Sequence, residues 1–87
     1  MCIRDREVIA RAGFGQHFTH RLGHGIGMEG HEAVYMVEGN ERALEQGLVF
    51  SVEPGVYVPG EIGVRLEDLV ACGARGAEVL SRRAPRL

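Results

Sequence analysis

The chain has 87 residues, of which 45% are hydrophobic and 25% are charged, a composition typical of a globular domain with one modest core. Its formal net charge of −2 provides no basic field for nucleic acid and no polybasic tract for an anionic membrane. Cys2 and Cys72 lie far apart with no paired-cysteine spacing, and every apolar run is shorter than the roughly 18 residues of a membrane span, so we expect a cytoplasmic protein.

The first predicted elements are a helix and a short strand. Residues 1–5 show no hydrophobic period and are interpreted as a non-native start, which leaves 6–87 as one unit without repeat or linker. The stretch "REVIARAGFG" predicts the last turns of an amphipathic helix, cut from a longer chain, with Gly13 as its left-handed cap. The stretch "GQHFTHRLGHGIG" predicts a short strand running into a glycine-rich turn at His24.

The remaining elements are mainly strands. "NERALEQG" predicts one helical stretch closed by Gly47, and "LVFSVEPGVYVPG" predicts two strands joined by a turn at Pro54 and Gly55. "GVRLEDLVA" alternates with a period of two, "GAEVL" adds a last short strand, and the polar "SRRAPRL" is expected to be the edge of the domain.

Two glutamates follow or interrupt these strands. Glu53 comes directly after an apolar run, and Glu67 shares one face of its predicted strand with Arg65. Burying a lone carboxylate costs several kcal/mol unless it is paired or binds a metal ion. Glu53 and Glu67 therefore need a cation, which Arg65 or a metal could supply.

His24 is the third candidate ligand. Glycine on both sides lets the backbone approach a ligand closely, and imidazole with carboxylates suits zinc, manganese, iron or cobalt. Each residue taken alone has a structural alternative: a hydrogen-bonded histidine, an exposed glutamate, or glycines that only form a turn. The residues by themselves leave both interpretations open.

The motifs taken together resemble a known family. "FTHRLGHGIGMEGHE", "GLVFSVEPGVYVPG" and "GVRLED", in this order over residues 6–80, are similar to the C-terminal half of the catalytic domain of M24 metallopeptidases. That family holds Xaa-Pro aminopeptidases, Xaa-Pro dipeptidases, methionine aminopeptidases and creatinase. The resemblance implies an α/β (α+β) pita-bread fold, a curved antiparallel sheet with a few helices. Residues 6–87 would be its incomplete C-terminal part.

The resemblance also implies a role for each matching residue. His24, Glu53 and Glu67 match metal ligands, with Glu67 bridging two ions and Glu53 also moving a proton. His31 matches the histidine that contacts the scissile peptide and its developing negative charge. The proline-specific branch adds two substrate-binding positions, His20 and Arg65.

The implied cofactor is a pair of divalent ions, with manganese as the first expectation and cobalt, zinc or iron as alternatives. The ions would lower the pKa of a bridging water, which then attacks the scissile carbonyl. The implied substrate is a peptide with proline at its second position. A homodimer is expected for the full-length protein, with neither nucleic acid nor membrane as a partner.

Departures from the family pattern limit the implied activity. Ala33 and Gly73 replace a usual proline and threonine, and neither Asp5 nor Asp68 matches the two aspartate ligands that the family carries upstream. Only three of five ligands are present, so we expect the isolated chain to be inactive. The arginine two positions before Glu67 favours the Xaa-Pro branch. The alternatives are a methionine aminopeptidase-type enzyme, a metal-free creatinase-type reaction and a non-catalytic peptide-binding module.

Overall fold

The computed structural model describes residues 3–82 of the chain. A helix, α1 (Ile3–Arg11), and a 3-10 turn (Gly15–His17) precede seven described strands. These are β1 (Gly23–Gly25), β2 (Glu32–Met36), β3 (Val49–Val52), β4 (Gly55–Val58), β5 (Ile62–Arg65), β6 (Asp68–Gly73) and β7 (Gly76–Val79). Met1 and Cys2 of the predicted non-native start, and residues 83–87 of the predicted polar edge, lie outside the described residues.

The strands form two antiparallel sheets. Five strands make the main sheet in the order β2-β1-β3-β6-β7, and β4 pairs with β5 in a separate two-stranded sheet. Within residues 3–82 the fold is thus mostly antiparallel sheet, as expected, with one α-helix where the sequence predicted two. That helix has 9 residues and is too short to span a membrane.

Helix α1 ends where the sequence predicted. Gly13 adopts a φ of 91°, and its N–H donates to the Ala10 carbonyl at 3.0 Å. Arg6 ties the helix to the segment that leads into β1, since its guanidinium lies 4.8 Å from the centre of the Phe18 ring and donates to the Phe18 carbonyl at 3.3 Å. Helix α1 is therefore packed against the segment that precedes β1.

The core covers one face of the main sheet. Strand β2 alternates, with Val34 and Met36 buried and Tyr35 exposed. Tyr35 lies directly opposite His24 in β1, and opposed residues of an antiparallel pair share a face. His24 is thus on the face opposite Val34 and Met36. The buried hydrophobic residues are Phe18, Leu22, Val34, Met36, Phe50 and Val70.

The glycine-rich turn predicted at His24 is wrong, because Gly23–Gly25 form strand β1, which lies between β2 and β3. Neither Gly23 nor Gly25 has a positive φ. A Cβ on Gly23 would collide with the carbonyl oxygen of Ser51, and one on Gly25 would lie 2.7 Å from the carbonyl oxygen of Ala33. The glycines serve close packing of β1 between its neighbours, not a change of chain direction.

The helix predicted for "NERALEQG" is also wrong. Residues 40–45 have no regular structure, and Gly47 lies in a turn with a φ of 92°. Asn40 uses its side chain locally: its amide donates to the Tyr35 carbonyl at 2.7 Å, and its oxygen accepts the Arg42 N–H at 3.0 Å. Such bonds compete with helix formation, and an eight-residue segment with an exposed Leu44 gains little by forming one.

The turn predicted at Pro54 and Gly55 is not formed, because Gly55 already begins β4 and the chain changes sheet there. Strands β3 and β4 both form, but β3 pairs with β6 and β4 pairs with β5. The predicted continuous strand over "GVRLEDLVA" splits into β5 and β6, with Leu66 and Glu67 as an exposed link. Strand β7 confirms the prediction for "GAEVL".

Replacing Gly23 with alanine tests the packing of β1. The added Cβ would meet a backbone oxygen that cannot rotate away, so we expect a loss of about 3 kcal/mol in the free energy of unfolding, at the upper end of overpacking costs. Gly13→Ala is the control, because its Cβ meets nothing within 4 Å and only the left-handed backbone costs about 1–2 kcal/mol. Urea denaturation measures both. A loss for Gly23→Ala no larger than the control would contradict this packing.

Candidate metal centre and substrate cleft

His24 lies in the interior strand β1 and is held there by two hydrogen-bonded contacts. It is 6% exposed, and its backbone N–H donates to the Ser51 hydroxyl at 3.1 Å, with Ser51 itself fully buried. The ring atom Nδ1 lies 2.9 Å from the Gly25 carbonyl oxygen. Because a carbonyl only accepts hydrogen bonds, Nδ1 carries the hydrogen, and in the neutral ring the lone pair is on Nε2.

Glu53 faces that lone pair from the end of β3. Its backbone N–H donates to the Leu22 carbonyl at 2.6 Å, which fixes the point where the chain leaves the main sheet. The side chain is 13% exposed, with Oε2 3.7 Å from His24 Nε2 and Oε1 3.9 Å from an Arg65 guanidinium nitrogen. Both distances exceed a hydrogen bond, so a largely buried carboxylate has its charge only partly compensated.

Two further histidines lie next to this pair. His31, exposed just before β2, places its ring centre 4.3 Å from that of His24. His20 is half-buried and packs edge-on against Phe18 and Tyr57, at 5.0 and 5.9 Å between ring centres. Its Nδ1 lies 2.6 Å from the Arg21 carbonyl oxygen, and its Nε2 is buried without a hydrogen-bond partner. That nitrogen is packed against Gly55, where a Cβ would lie 2.9 Å from it.

An open cleft connects these side chains, lined by His20, Arg21, His31, Glu53 and Arg65. Four of the five were predicted as site residues. Arg21 was missed, although it stands beside His20 in the sequence. Tyr57 was missed as well; its ring lies under the Arg65 guanidinium at 5.6 Å. The alternation of "GVYV" places Tyr57 on the same strand face as Gly55 and opposite the apolar Val56 and Val58. A side chain with a hydroxyl on that face is the signal that could have identified it.

Glu67 does not join the pair. It is exposed in the link between β5 and β6, and among residues 3–82 no three His, Cys, Asp or Glu side chains converge to hold a metal ion. The structure thus brings His24 and Glu53 together, with His31, His20 and Arg65 around them.

The donor chemistry of His24 and Glu53 fits a divalent metal ion. Metal bonds to imidazole nitrogen and carboxylate oxygen are about 2.0–2.2 Å long, so one ion can reach both atoms across a 3.7 Å gap. The bond from Nδ1 to a backbone carbonyl is the usual support of a metal-binding histidine. These two side chains could supply part of a metal centre.

Comparison with known proteins identifies the family. The model of metallopeptidase family M24 matches residues 4–74, and the chain belongs to this family. It is 54% identical over 68 residues to the Xaa-Pro dipeptidase of Lactobacillus helveticus, covering 78% of this chain and 18% of that protein. The chain thus spans about a fifth of the length of the curated relatives it matches.

Solved structures confirm the fold expected from the resemblance. A dipeptidase from Pyrococcus horikoshii matches with a TM-score of 0.91 and 43% identity, over 97% of this chain and 24% of that one. A prolidase from Thermococcus sibiricus matches with a TM-score of 0.89 and 41% identity, over 94% and 22%. The described sheet is therefore a piece of the pita-bread fold.

Ser51→Ala tests whether the buried hydroxyl supports His24. Losing it leaves the His24 N–H in a dry site without its partner, so we expect a loss of about 1–3 kcal/mol in the free energy of unfolding. Ser81→Ala is the control: its part-buried hydroxyl bonds Leu69 and Asp68, and water can replace it at a smaller cost. Urea denaturation compares the two. An equal or smaller loss for Ser51→Ala would argue against this support.

Proposed function

We propose that the full-length protein carrying this chain is a metal-dependent peptidase that cleaves the bond preceding proline in Xaa-Pro peptides. The family is that of metallopeptidases, and the similar proteins are named Xaa-Pro dipeptidase and prolidase. The observation that carries the proposal is the lone pair of His24 facing the Glu53 carboxylate at 3.7 Å. None of the reported relatives favours a methionine aminopeptidase or a binding-only module.

His24, Glu53 and Glu67 would hold the metal together with two aspartates from the rest of the protein. Two divalent ions, with manganese as the first expectation, would supply an activated water and a polarised scissile carbonyl. His24 and Glu53 are supported by their geometry, whereas Glu67 enters the proposal through the family motif. The full-length protein is proposed to be a homodimer in the cytoplasm.

The surrounding residues would act directly on the peptide. His31 stands exposed over His24, where its ring can donate a hydrogen bond to the oxygen that gains negative charge. Glu53, with its carboxylate at the cleft, would carry the proton from the attacking water towards the leaving proline nitrogen. His20 and the guanidinium of Arg65, which both line the same cleft, would bind the substrate.

Glu53→Gln tests the central ligand in the full-length protein. The amide keeps the size of the side chain but removes the charge and the proton acceptor, so we expect kcat/KM for an Xaa-Pro dipeptide to fall by about 10³-fold or more and the bound metal to decrease. Glu61→Gln, exposed in the turn between β4 and β5, is the matched control and should change neither quantity. Full activity of Glu53→Gln would refute the assignment.

The isolated 87-residue chain is expected to be inactive, because it lacks the two upstream aspartates. The purified chain with added Mn²⁺ should not release proline from an Xaa-Pro dipeptide above the background of the assay. Hydrolysis that disappears in the His24→Ala chain would contradict this expectation, since the matched variant excludes a contaminating peptidase.

A further inference from the structure

The loop between β1 and β2, residues 26–31, ends at His31 and is closed by a side chain from outside the loop. Glu32, the first residue of β2, turns its carboxylate back, and its Oε1 accepts the Glu29 N–H at 3.2 Å. The same carboxylate fills the space beside Gly27, where a Cβ would collide with both of its oxygens. The loop is thus folded around the Glu32 side chain.

The backbone of the loop is compact at the same place. Gly30 donates its N–H to the Gly27 carbonyl at 3.1 Å, and His31 donates to the Glu29 carbonyl at 2.9 Å. Glu32 is itself fixed by sheet pairing with Gly25. Because Glu32 is anchored in the sheet, its hydrogen bond with the Glu29 N–H fixes the loop relative to the sheet.

His31 depends on this loop for its position. Its side chain is exposed, and the described contact that orients its ring is the one with His24, at 4.3 Å between ring centres. We propose that Glu32 is a positioning residue, whose carboxylate holds residues 27–31 so that the His31 ring stays over His24. Its consequence for catalysis rests on the proposed function; its consequence for the loop does not.

The placement of Glu32 distinguishes positioning from a chemical role. Its carboxylate faces the amide of Glu29, while the cleft is lined by His20, Arg21, His31, Glu53 and Arg65. The loop requires a hydrogen-bond acceptor beside the Glu29 N–H. It requires neither a negative charge nor a proton that titrates there.

Substitutions at Glu32 in the full-length protein test the proposal. Glu32→Ala should lower kcat for an Xaa-Pro dipeptide about tenfold or more with KM within about threefold, because His31 acts on charge that develops in the transition state. Glu32→Gln keeps an accepting oxygen and should restore kcat to within about threefold of the parent. Glu29→Ala is the control, since the described contacts of Glu29 in the loop use only its backbone N–H and carbonyl, and it should leave kcat unchanged.

A double substitution tests whether Gly27 and Glu32 hold the loop through the same contact. Gly27→Ala should displace the carboxylate and lower kcat as much as Glu32→Ala, and the double variant should be no worse than either single one. Additive losses would show that the two residues act independently and would overturn this part of the proposal.

A readout without substrate separates this inference from the proposed function. In ¹³C-histidine-labelled protein, the nuclear Overhauser contact between the His24 and His31 rings should persist in the parent and in Glu32→Gln and disappear in Glu32→Ala. If the parent cleaves no Xaa-Pro peptide, the proposed function fails while this contact still decides the role of Glu32. If Glu32→Ala keeps both the contact and kcat, the proposal is wrong. It is also wrong if Glu32→Gln loses the contact and kcat. The second outcome decides the question even where Glu32→Ala does not fold.

Discussion

The site depends on how closely β1 lies between its two neighbours. The strand is three residues long, and its outer two positions leave no room for a side chain. The only side chain it can present is that of His24, which is held by a buried hydroxyl at its amide and by a carbonyl at its ring. Close packing therefore fixes both the position of the imidazole and the direction of its free lone pair.

The second constraint is electrostatic. Glu53 is placed by a short backbone bond to Leu22 at the point where the chain changes sheet, and its side chain is only 13% exposed there. Arg65 approaches one oxygen at 3.9 Å and His24 approaches the other at 3.7 Å, and neither makes a hydrogen bond. A negative group and a lone pair that face each other across a gap favour a cation between them.

His24 and Glu53 were expected to lie near each other because both stand in motifs whose order and spacing are specific, and the structure places them 3.7 Å apart; their role as metal ligands stays a prediction. The sequence also predicted the end of α1 at Gly13 and the final strand, which depend on local backbone preferences. It failed where the outcome depended on long-range pairing: the partners of β3 and β4 are set by β6 and β5, not by the proline and glycine between them. The helix predicted for "NERALEQG" was wrong for a local reason, because hydrogen bonds from the Asn40 side chain compete with a short helix.

The glycines around His24 illustrate how one pattern can have two physical causes. Glycine permits both a tight turn and a close approach of strands, and the residues alone do not distinguish them. Arg21 and Tyr57 were missed for a related reason, since Arg21 lines the cleft and Tyr57 contacts its His20 and Arg65 side chains only in the folded chain. The role of Glu67 stays a prediction from the family motif, because the described residues do not bring it to His24 and Glu53.

The most direct test of the account is a crystal structure of the full-length protein soaked with Mn²⁺, with data collected at the manganese absorption edge. The account predicts an anomalous peak within about 2.3 Å of both His24 Nε2 and a Glu53 carboxylate oxygen. A peak away from these two atoms, or a His24 ring hydrogen-bonded directly to the Glu53 carboxylate with no peak, would contradict it.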